Sequence, residues 1–325
     1  MSETCMIKQI TLSTNHPHYS SWLSDIRKLC RPIINHPAPS MLIIPTDIPK
    51  ELEQSGCVVS NVKKDDWPSL TDTDFIQLSP IVGKELLIGG PCCVETEEQM
   101  HKTVSEFHKH GFPMIRGGLF KPRSSAHSFQ GLGFKGIELI QKVKAKTPFE
   151  FVSEITCPTQ VKQLSDVVDV FQVGTRNMEN TELLKVLGKQ DKPVILKRGR
   201  CATYQDWLNS AEYIIREGNP RVILCERGIR TFETSMRNTL DITAFGYLKR
   251  ITNLPVICDP SHACGDSHLV PSLAMASKVA GADGLLVEAH PDPEHSVSDA
   301  KQALGLNQCI ALFKHYQKTS TFVPA

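Results

Sequence analysis

The sequence lacks three features by which protein classes are often recognised: an excess of charge of one sign, a long uncharged apolar run and a C-x-x-C pair. Its 325 residues include 36 Lys and Arg against 35 Asp and Glu. This balance excludes bulk electrostatic attraction to nucleic acid or to an anionic membrane. No stretch approaches the roughly 18 apolar residues of a membrane span, and the start, MSETCMIKQI, has no basic segment followed by an apolar core. We therefore expect a globular cytoplasmic protein without nucleic-acid or membrane partners.

Cysteine is plentiful, but the number, 11, is odd. An odd number spread along a long chain favours reduced thiols over the disulfide framework of a secreted protein. The stretch GGPCCVE contains the neighbours Cys92 and Cys93, which could form a disulfide, a pair of buried thiols, or one metal ligand with an inert neighbour. We predict that they are not bridged.

From about Pro80 onward, short apolar runs alternate with longer amphipathic stretches, the pattern of repeated β-α units. Eight runs are typical of strands: ELLIGG, PMIRGG, FEFVSE, VFQVG, PVILKRG, RVILCERG, PVICDPSH and GLLVEAHP. Eight parallel strands with covering helices predict an α/β fold, a closed (β/α)8 TIM barrel, over residues 81–325.

Residues 1–65 follow another order, β-α-β-β-α-β, in the segments MIKQITL, YSSWLSDIRKLC, RPII, SMLIIP, IPKELEQSG and CVVSNV. This order predicts a small ferredoxin-like α+β domain. Residues 66–80, which include KKDDWPSLTDTD, are predicted to link it to the barrel. The domain could regulate the barrel, or it could serve packing or oligomerisation.

Each predicted barrel strand ends near a polar side chain. These are Cys92, Arg116, Glu154, Arg176, Lys197, Arg227, His262 and Glu288. Because active sites of this fold form at the carboxyl ends of the strands, one mouth could collect all eight.

Cations are the commonest of the side chains expected at this mouth. Further cations stand in RGGLFKPRSS (Lys121 and Arg123, with the hydroxyl of Ser124), in LKRGR (Arg198 and Arg200) and in CERGIR (Arg230). Desolvated cations are costly unless an anion meets them, and guanidinium groups fit phosphate oxygens. The sequence therefore predicts one or two phosphorylated small molecules as ligands.

Candidate metal ligands follow the first and the last strands. They are Cys92, His262 in DPSH, Glu288 in VEAHP and Asp299 in SVSDAKQ. A thiolate, an imidazole and two carboxylates suit Zn, Mn, Fe or Cu, so the sequence does not encode the metal. Spacing alone is a weak signal, since a single Cys or His near a strand end is more often packed or solvated.

At these residues the sequence resembles the 3-deoxy-D-arabino-heptulosonate 7-phosphate (DAHP) synthases of type Iβ. The motifs run in the family's order from Gly89 to Leu304: GPC, RGG-x-x-KPR-S, SFQGLG, VG-x-RN, LKRG, CERGIRTFE, RNTLDI, DPSH, VE-x-HP-x-P and SD-x-KQ-L. The resemblance implies the first step of the shikimate pathway, in which phosphoenolpyruvate condenses with erythrose 4-phosphate and phosphate is released.

The resemblance also implies roles for individual residues. The metal ligands would be Cys92, His262, Glu288 and Asp299, holding one divalent ion per subunit, which could be Mn, Fe, Zn or Co. Phosphoenolpyruvate would bind Arg116, Lys121, Arg176, Lys197 and Arg227, and the aldose phosphate would bind Arg123 and Ser124. The catalytic set would be Lys121, Cys92, His262 and Arg116.

A mechanism is expected from these groups. Lys121, between two arginines that lower its pKa, would transfer a proton or stabilise a developing alkoxide. Glu154, Asp259 and a metal-bound water are the candidates for handling the proton of the attacking water. Family members are usually tetramers or dimers, and the N-terminal domain of relatives can bind an inhibitory aromatic amino acid.

The chain departs from the family pattern at several positions. Cys93 stands where relatives commonly have serine, and Thr175 where they usually have alanine. Ala126 and His127 replace a common Pro-Tyr pair in the loop that faces the aldose. Cys264, Asp266 and His268 replace a loop rich in glycine and arginine. These changes could alter affinity for substrates or reflect the ordinary variation of loops.

Two alternatives remain. The first is 3-deoxy-manno-octulosonate 8-phosphate synthase, which uses arabinose 5-phosphate and typically has a K-A-N-R pattern where this chain has KPR. The second is a barrel that has lost catalysis and senses metabolites. Loss of a metal ligand or of a phosphate-site arginine would indicate it, and the sequence retains all of them.

Overall fold

The computed structural model describes residues 7–11, 33–35, 40–43, 58–62, 75–77, 85–123, 125, 127–252 and 254–322. Its first part contains five short strands: β1 (Ile7–Thr11), β2 (Ile33–Asn35), β3 (Ser40–Ile43), β4 (Val58–Val62) and β5 (Phe75–Gln77). They pair antiparallel in the order β4-β1-β3-β2-β5. The first four fall on predicted strand segments, whereas β5 lies in the stretch assigned to the linker. The predicted helices lie outside the described residues, so the ferredoxin-like assignment and the domain bounds stay predictions.

Eight further strands run parallel and close into a barrel. They are β6 (Leu86–Gly90), β7 (Met114–Arg116), β8 (Glu150–Ile155), β9 (Val170–Val173), β10 (Val194–Lys197), β11 (Val222–Glu226), β12 (Val256–Cys258) and β13 (Gly284–His290). Each strand pairs with the next, and β13 also pairs with β6, which closes the sheet. A two-residue strand, β14 (Leu304–Gly305), pairs in parallel with the last two residues of β13. The eight strands and the barrel predicted from the sequence are confirmed.

Helices follow the barrel strands, and all except a five-residue helix at the mouth, Pro260–Cys264, cover the outside of the barrel. They are α1 (Glu97–Lys109), α2 (Lys135–Lys146), α3 (Pro158–Leu164), α4 (Thr181–Gly188), α5 (Tyr204–Arg216), α6 (Thr243–Ile251), α7 (Pro260–Cys264), α8 (Val270–Val279) and α9 (Leu306–Lys318). Helix α5 shows how local sequence sets a boundary. Thr203 and Asp206 form a capping box at its start, and the buried Trp207 donates a hydrogen bond to the carbonyl of Leu196 in β10. In the part of the chain that is described, no helix is long and apolar enough to cross a membrane.

The apolar core has two parts. One lies between the helices and the outer faces of the strands. The other fills the barrel with alternate residues from the strands: Leu86, Ile88, Val152, Val170, Ile195, Ile223, Cys225, Ile257 and Leu286. Because these side chains close the lumen, the barrel is a packed body and not a pore. Polar side chains that extend past this layer therefore form the floor and wall of the mouth.

Candidate active site

Three of the predicted metal ligands meet at the mouth, where β13 closes against β6. Glu288 lies opposite Gly90 in the paired strands, and Cys92 follows two residues later. The Sγ atom of Cys92 lies 3.0 Å from Oδ2 of Asp299. One ligand atom from each of Cys92, Glu288 and Asp299 lies within 4.8 Å of the other two. Barrel closure thus brings together residues that are far apart in the sequence.

His262, the fourth predicted ligand, lies beside this group. It is in α7, directly after β12, and Asp259 caps that helix by accepting a hydrogen bond from the His262 amide at 2.9 Å. The imidazole Nδ1 lies 2.8 Å from Oδ2 of Asp259, and Nε2 lies 3.2 Å from Oε1 of Glu288. A carboxylate on one ring nitrogen turns the other toward the ligand group, as at many metal sites. Burial lowers the pKa of His262 to about 4, so the imidazole is neutral near pH 7.

The donor atoms fit a divalent transition metal. The set comprises one thiol, one neutral imidazole and two carboxylates, a mixture suited to Zn, Fe or Mn. Burial raises the pKa of the Cys92 thiol well above its ordinary value, while the pKa of Asp299 is lowered well below the usual range despite its burial, chiefly by Lys121. The pKa stays raised although the Lys121 ammonium lies 2.6 Å from Sγ, so a thiolate at Cys92 needs further positive charge, such as a metal ion bound to the sulfur. Because Cys92 and Cys93 are both free thiols, the prediction that they are not bridged is confirmed.

The segment that presents Asp299 is held in place by the segment that follows Cys92. The carboxylate of Glu95 accepts hydrogen bonds from the Val297 amide at 3.2 Å and from the Ser296 hydroxyl at 3.3 Å. The Sγ atom of Cys93 lies 3.3 Å from the hydroxyl oxygen of Ser298. Asp299 itself has a φ of 55°, in the left-handed region that is unfavourable for a residue with a side chain. Such a conformation persists only where its surroundings enforce it.

Lys121 lies against the acidic groups of this centre. Its Nζ atom is 2.6 Å from Sγ of Cys92 and 3.1 Å from Oδ2 of Asp299. Burial acts to lower the pKa of Lys121, but Cys92, Glu288 and Asp299 raise it well above its ordinary value. The prediction of a lowered pKa is therefore wrong, because nearby acidic groups outweigh the neighbouring arginine. Lys121 is an ammonium ion that can donate a proton.

Arg116 is buried beneath the ligand group and does not line the cavity described below. Its Nη1 atom donates to Oε1 of Glu288 at 3.0 Å. Gln302 donates to the other oxygen of Glu288 at 2.6 Å, and Arg237 donates to Gln302 at 2.6 Å. These contacts fix the plane of the Glu288 carboxylate. Arg116 is thus placed to orient a metal ligand.

A cavity of about 400 Å³ opens beside these residues. Its lining includes eight cationic side chains: Lys121, Arg123, Arg176, Lys197, Arg200, Arg227, Arg230 and Arg237. The lining has two carboxylates, Glu154 and Asp299. This excess of cations over carboxylates favours the binding of multiply charged anions, and guanidinium groups suit phosphate.

Two cations of the cavity lining, Lys197 and Arg227, form hydrogen bonds with residues next to the candidate metal ligands. Lys197 donates to Oδ2 of Asp259 at 2.5 Å, and Arg227 donates to the carbonyl of His262 at 3.1 Å. Asn238, another residue of the cavity lining, donates to the same carbonyl at 2.9 Å. Lys197, Arg227 and His262 are therefore parts of one hydrogen-bonded framework.

Arg198 does not belong to the site, although its motif suggested that it did. Its Nη1 atom lies 2.9 Å from Oε2 of Glu226 and 2.8 Å from Oδ2 of Asp241, and its guanidinium stacks over Tyr204. Adjacent residues around the end of a strand point to opposite faces, so Lys197 faces the mouth and Arg198 faces the helices.

The structure describes some of the loop residues that the sequence singled out and leaves others outside the described residues. Ser124 and Ala126 lie outside the described residues, while Arg123 lines the cavity and His127 is exposed. Thr175 begins a single 3-10 turn, Thr175–Asn177, and lines the cavity beside Arg176. The preceding Gly174 leaves room for the Glu154 carboxylate, because a Cβ atom at Gly174 would lie 1.9 Å from Oε1 of Glu154.

Several residues of the site were not singled out from the sequence. Glu95, Gln302, Arg237 and Asn238 hold ligands or line the cavity. Arg237 and Asn238 stand in the motif RNTLDI and Gln302 in SD-x-KQ, so the motifs themselves carried the signal.

Comparison with known proteins gives a consistent result. The family model described as "DAHP synthetase I family" matches residues 80–324. Phospho-2-dehydro-3-deoxyheptonate aldolase from Thermotoga maritima is 44% identical over 232 residues, which cover 71% of this chain and 69% of that protein. The crystal structure of a DAHP synthase from Thermotoga maritima is similar with a TM-score of 0.71 and 33% identity, covering 96% of each chain. A 2-dehydro-3-deoxyphosphooctonate aldolase from Desulfatibacillum aliphaticivorans is 30% identical over 237 residues, 67% of this chain and 86% of that protein.

Proposed function

The chain belongs to the DAHP synthetase I family, and we propose that its barrel mouth condenses phosphoenolpyruvate with erythrose 4-phosphate. The products are 3-deoxy-D-arabino-heptulosonate 7-phosphate and inorganic phosphate. The observation that carries the proposal is the cavity with eight cations beside the Cys92, Glu288 and Asp299 group. This one site has charges for two phosphorylated substrates and donors for one metal ion.

Phosphoenolpyruvate binds the inner cations in this proposal: Arg116, Lys121, Arg176, Lys197 and Arg227. The aldose phosphate binds Arg123 and Ser124. This division supports the reaction because it places the two reactants in one enclosed space, with their phosphates on separate groups of cations. Bringing two reactants together in this way removes much of the entropic barrier to condensation.

Cys92, His262, Glu288 and Asp299 would hold one divalent metal ion per subunit, its identity being Mn, Fe, Zn or Co. When bound, a metal ion acts as a Lewis acid toward the carbonyl of the aldose. The Asp259 carboxylate lies 2.8 Å from Nδ1 of His262, and Arg116 and Gln302 orient Glu288 by the hydrogen bonds described above. These contacts support the ligand assignment because metal sites depend on partners that fix the ligands.

Lys121 has the charge and position of a proton donor in this proposal. C3 of the enol ether attacks the aldehyde carbon, and the aldehyde oxygen gains a proton as it becomes the new hydroxyl. The raised pKa keeps Lys121 in the ammonium form and makes it a weaker acid than an ordinary lysine, but an alkoxide is a stronger base than an amine and can still take the proton. Water adds at C2, and the tetrahedral phosphohemiketal loses phosphate to form the ketose. Glu154 in the cavity wall and Asp259 behind Lys197 are the candidate acceptors for the water proton.

The second candidate reaction uses arabinose 5-phosphate as the acceptor and gives 3-deoxy-manno-octulosonate 8-phosphate. The similarity to 2-dehydro-3-deoxyphosphooctonate aldolases supports it, at 30% identity against 44% for the heptonate aldolase. Pro122 and Arg123 of the KPR motif lie in the cavity wall, where they would meet the aldose. We favour erythrose 4-phosphate because both the KPR motif and the higher identity agree.

The experiment is a pair of parallel assays with metal-reconstituted protein. Phosphoenolpyruvate is supplied with either erythrose 4-phosphate or arabinose 5-phosphate, and the loss of enol absorbance is followed with and without a chelator. Chelator-sensitive consumption with the tetrose alone is the expected result. Consumption with the pentose alone supports the octulosonate reaction, and no consumption with either supports a metabolite-sensing barrel.

We further propose a cytoplasmic homo-oligomer, a dimer or tetramer, and inhibition by an aromatic amino acid bound to residues 1–65. The support for each is the family resemblance. Sedimentation of the full chain tests the assembly, and assays with phenylalanine, tyrosine and tryptophan test the inhibition.

A further inference from the structure

Two arginines of the cavity, Arg200 and Arg230, are used neither by the proposed substrate groups nor by a carboxylate. Both line the same cavity as Lys197 and Arg227. Within the described part of the chain neither has an acidic partner, whereas Arg198, two residues before Arg200, pairs with two carboxylates. Cationic side chains gathered in one cavity without acidic partners repel one another, and a bound anion replaces that repulsion with attraction.

The four cations form two tiers on adjacent strands. Lys197 ends β10 and Arg227 follows β11 directly, and each is followed three residues later by an arginine, Arg200 or Arg230. Strands β10 and β11 pair in parallel, so the two series advance toward solvent side by side. The inner pair is buried, with 4% and 5% exposure. Arg200 is half-buried and Arg230 is exposed, so the outer pair lies at the rim.

Backbone hydrogen bonds fix the positions of Arg200 and Arg230. The backbone amide of Arg230 donates to the carbonyl of Arg200 at 2.8 Å, which ties the two loops together. Ile229 and Thr239 exchange two backbone hydrogen bonds of 2.9 Å each, which fasten the base of the Arg230 loop. The two guanidinium groups thus start from backbone positions that are already adjacent, and little ordering is needed for both to meet one ligand.

The charges around Arg200 are of one sign. Burial, and then the charges of Arg230 and Arg176, lower the pKa of Arg200. A phosphate dianion between Arg200 and Arg230 would replace this repulsion with charge-assisted hydrogen bonds, for which the guanidinium geometry is well suited.

We propose that Arg200 and Arg230 form an outer phosphate subsite, separate from the inner cations and nearer the solvent. The identity of its natural anion rests on the proposed function. Either the phosphate group of the aldose or the orthophosphate released by the reaction has the required chemistry.

The direct test is an orthophosphate titration of the full chain by calorimetry, with phosphoenolpyruvate present and no aldose. Phosphoenolpyruvate then occupies the inner cations without turnover. We expect Arg200→Ala and Arg230→Ala each to weaken orthophosphate binding by about fivefold or more. Arg200→Lys should retain part of the affinity, because it keeps the charge but loses the planar pair of donors.

The matched control is Arg250→Ala, since Arg250 is an exposed arginine in the last turn of α6, on the outside of the barrel. The affinity of the Arg250→Ala variant for orthophosphate should equal that of the unmodified protein. Absence of orthophosphate binding under these conditions, or equal binding by all variants, would overturn the subsite. This result does not depend on turnover, so it stands even if neither aldose is consumed and the proposed function fails.

Steady-state constants then separate the two sources of phosphate. If the subsite holds the aldose, Arg200→Ala raises KM for erythrose 4-phosphate and leaves the inhibition constant of orthophosphate unchanged. If it holds the released phosphate, the variant raises that inhibition constant and leaves KM for the aldose unchanged. An effect on both constants supports a shared subsite. No effect on either constant in an active enzyme overturns the proposal.

Discussion

The thiol of Cys92 lies 3.0 Å from the carboxylate of Asp299, although 207 positions separate the two residues in the chain. Cys92 follows the first barrel strand, and Asp299 follows the last. The contact therefore exists only when the barrel is closed between β6 and β13. A metal ion at this point would join the two ends of the barrel, so metal binding and closure should stabilise each other.

Replacement of Cys92 by serine should remove metal binding and activity while leaving the barrel folded. A hydroxyl is a poor substitute for a thiolate, and even residues that only orient ligands change metal affinity about 10- to 100-fold. We expect Cys92→Ser to lose at least about 100-fold in affinity for Co²⁺, measured by calorimetric titration, and to lack the thiolate-to-cobalt absorption band of the unmodified protein.

Cys93→Ser is the matched control for that variant. Cys93 is fully buried and contacts the hydroxyl of Ser298 at 3.3 Å, a contact that a serine can keep. Metal content and activity should stay near those of the unmodified protein. Full activity and full metal content in Cys92→Ser would show that the ligand assignment is wrong.

Metal binding should release about one proton at pH 7. In the protein without metal, burial holds the Cys92 thiol in its protonated form, while the pKa of His262, about 4, leaves the imidazole with no proton to lose. The pKa values of Glu288 and Asp299 are lowered even though both groups are buried, so these groups are already ionised. Apparent affinity should therefore rise about tenfold per pH unit between pH 5 and 8.

Calorimetric titration with Zn²⁺ in buffers of different ionisation enthalpy measures this proton release. Cys92→Ser should abolish it in any residual binding. Release of no proton by the unmodified protein would show that the thiol does not become the ligand.

Glu95→Ala should weaken metal binding without touching a ligand. The carboxylate of Glu95 accepts hydrogen bonds from Ser296 and Val297, and the segment it holds leads to the positive φ of Asp299. Without it, Asp299 is free to relax to an ordinary conformation. We expect Co²⁺ affinity to fall about 10- to 100-fold, with Glu95→Gln retaining more because an amide oxygen can still accept both bonds. If both variants had the cobalt spectrum and the Co²⁺ affinity of the unmodified protein, Glu95 would have no role in the metal site.

The barrel could be predicted because its strands are buried on both faces and therefore appear as nearly continuous apolar runs. The side on which a polar residue lies was harder to predict. Lys197 and Arg198 are neighbours in one motif, and only the alternation of side chains at the strand end separates a cavity residue from one paired with Glu226. That signal was available in the sequence.

Other features depend on contacts that spacing does not reveal. The raised pKa of Lys121 results from Cys92, Glu288 and Asp299, which come from both ends of the barrel. The contact of Glu95 with Val297 likewise spans 202 positions. Without an alignment or a structure, no periodicity in the sequence links these pairs.

Gly174→Ala should impair the site by direct overlap. The backbone at Gly174 has a φ of −70°, so alanine meets no conformational strain there, but its Cβ atom would lie 1.9 Å from Oε1 of Glu154. Either Glu154 or the turn that carries Arg176 must move, and we expect a loss of about 1–3 kcal/mol in stability and a raised KM for phosphoenolpyruvate.

Gly246→Ala is the control, because its Cβ atom would meet only the carbonyl oxygen of Ala280, at 4.0 Å. In the middle of α6 this substitution should stabilise the protein by up to about 1 kcal/mol. Chemical denaturation of both variants measures the difference. Equal stabilities would show that Glu154 moves aside at no cost.

Arg198→Met should reduce stability and leave phosphoenolpyruvate binding unchanged, whereas Lys197→Met, which breaks the buried pair with Asp259, should impair both. Arg198 balances the fully buried Glu226, and removal of one partner of a buried ion pair costs about 3–5 kcal/mol. Lys197 instead lines the cavity, so its loss should raise KM for phosphoenolpyruvate about tenfold or more. Urea unfolding and initial-rate kinetics on both variants separate the two effects. If the Arg198→Met protein were as stable as the unmodified protein but had a raised KM for phosphoenolpyruvate, Arg198 would have to contact that substrate.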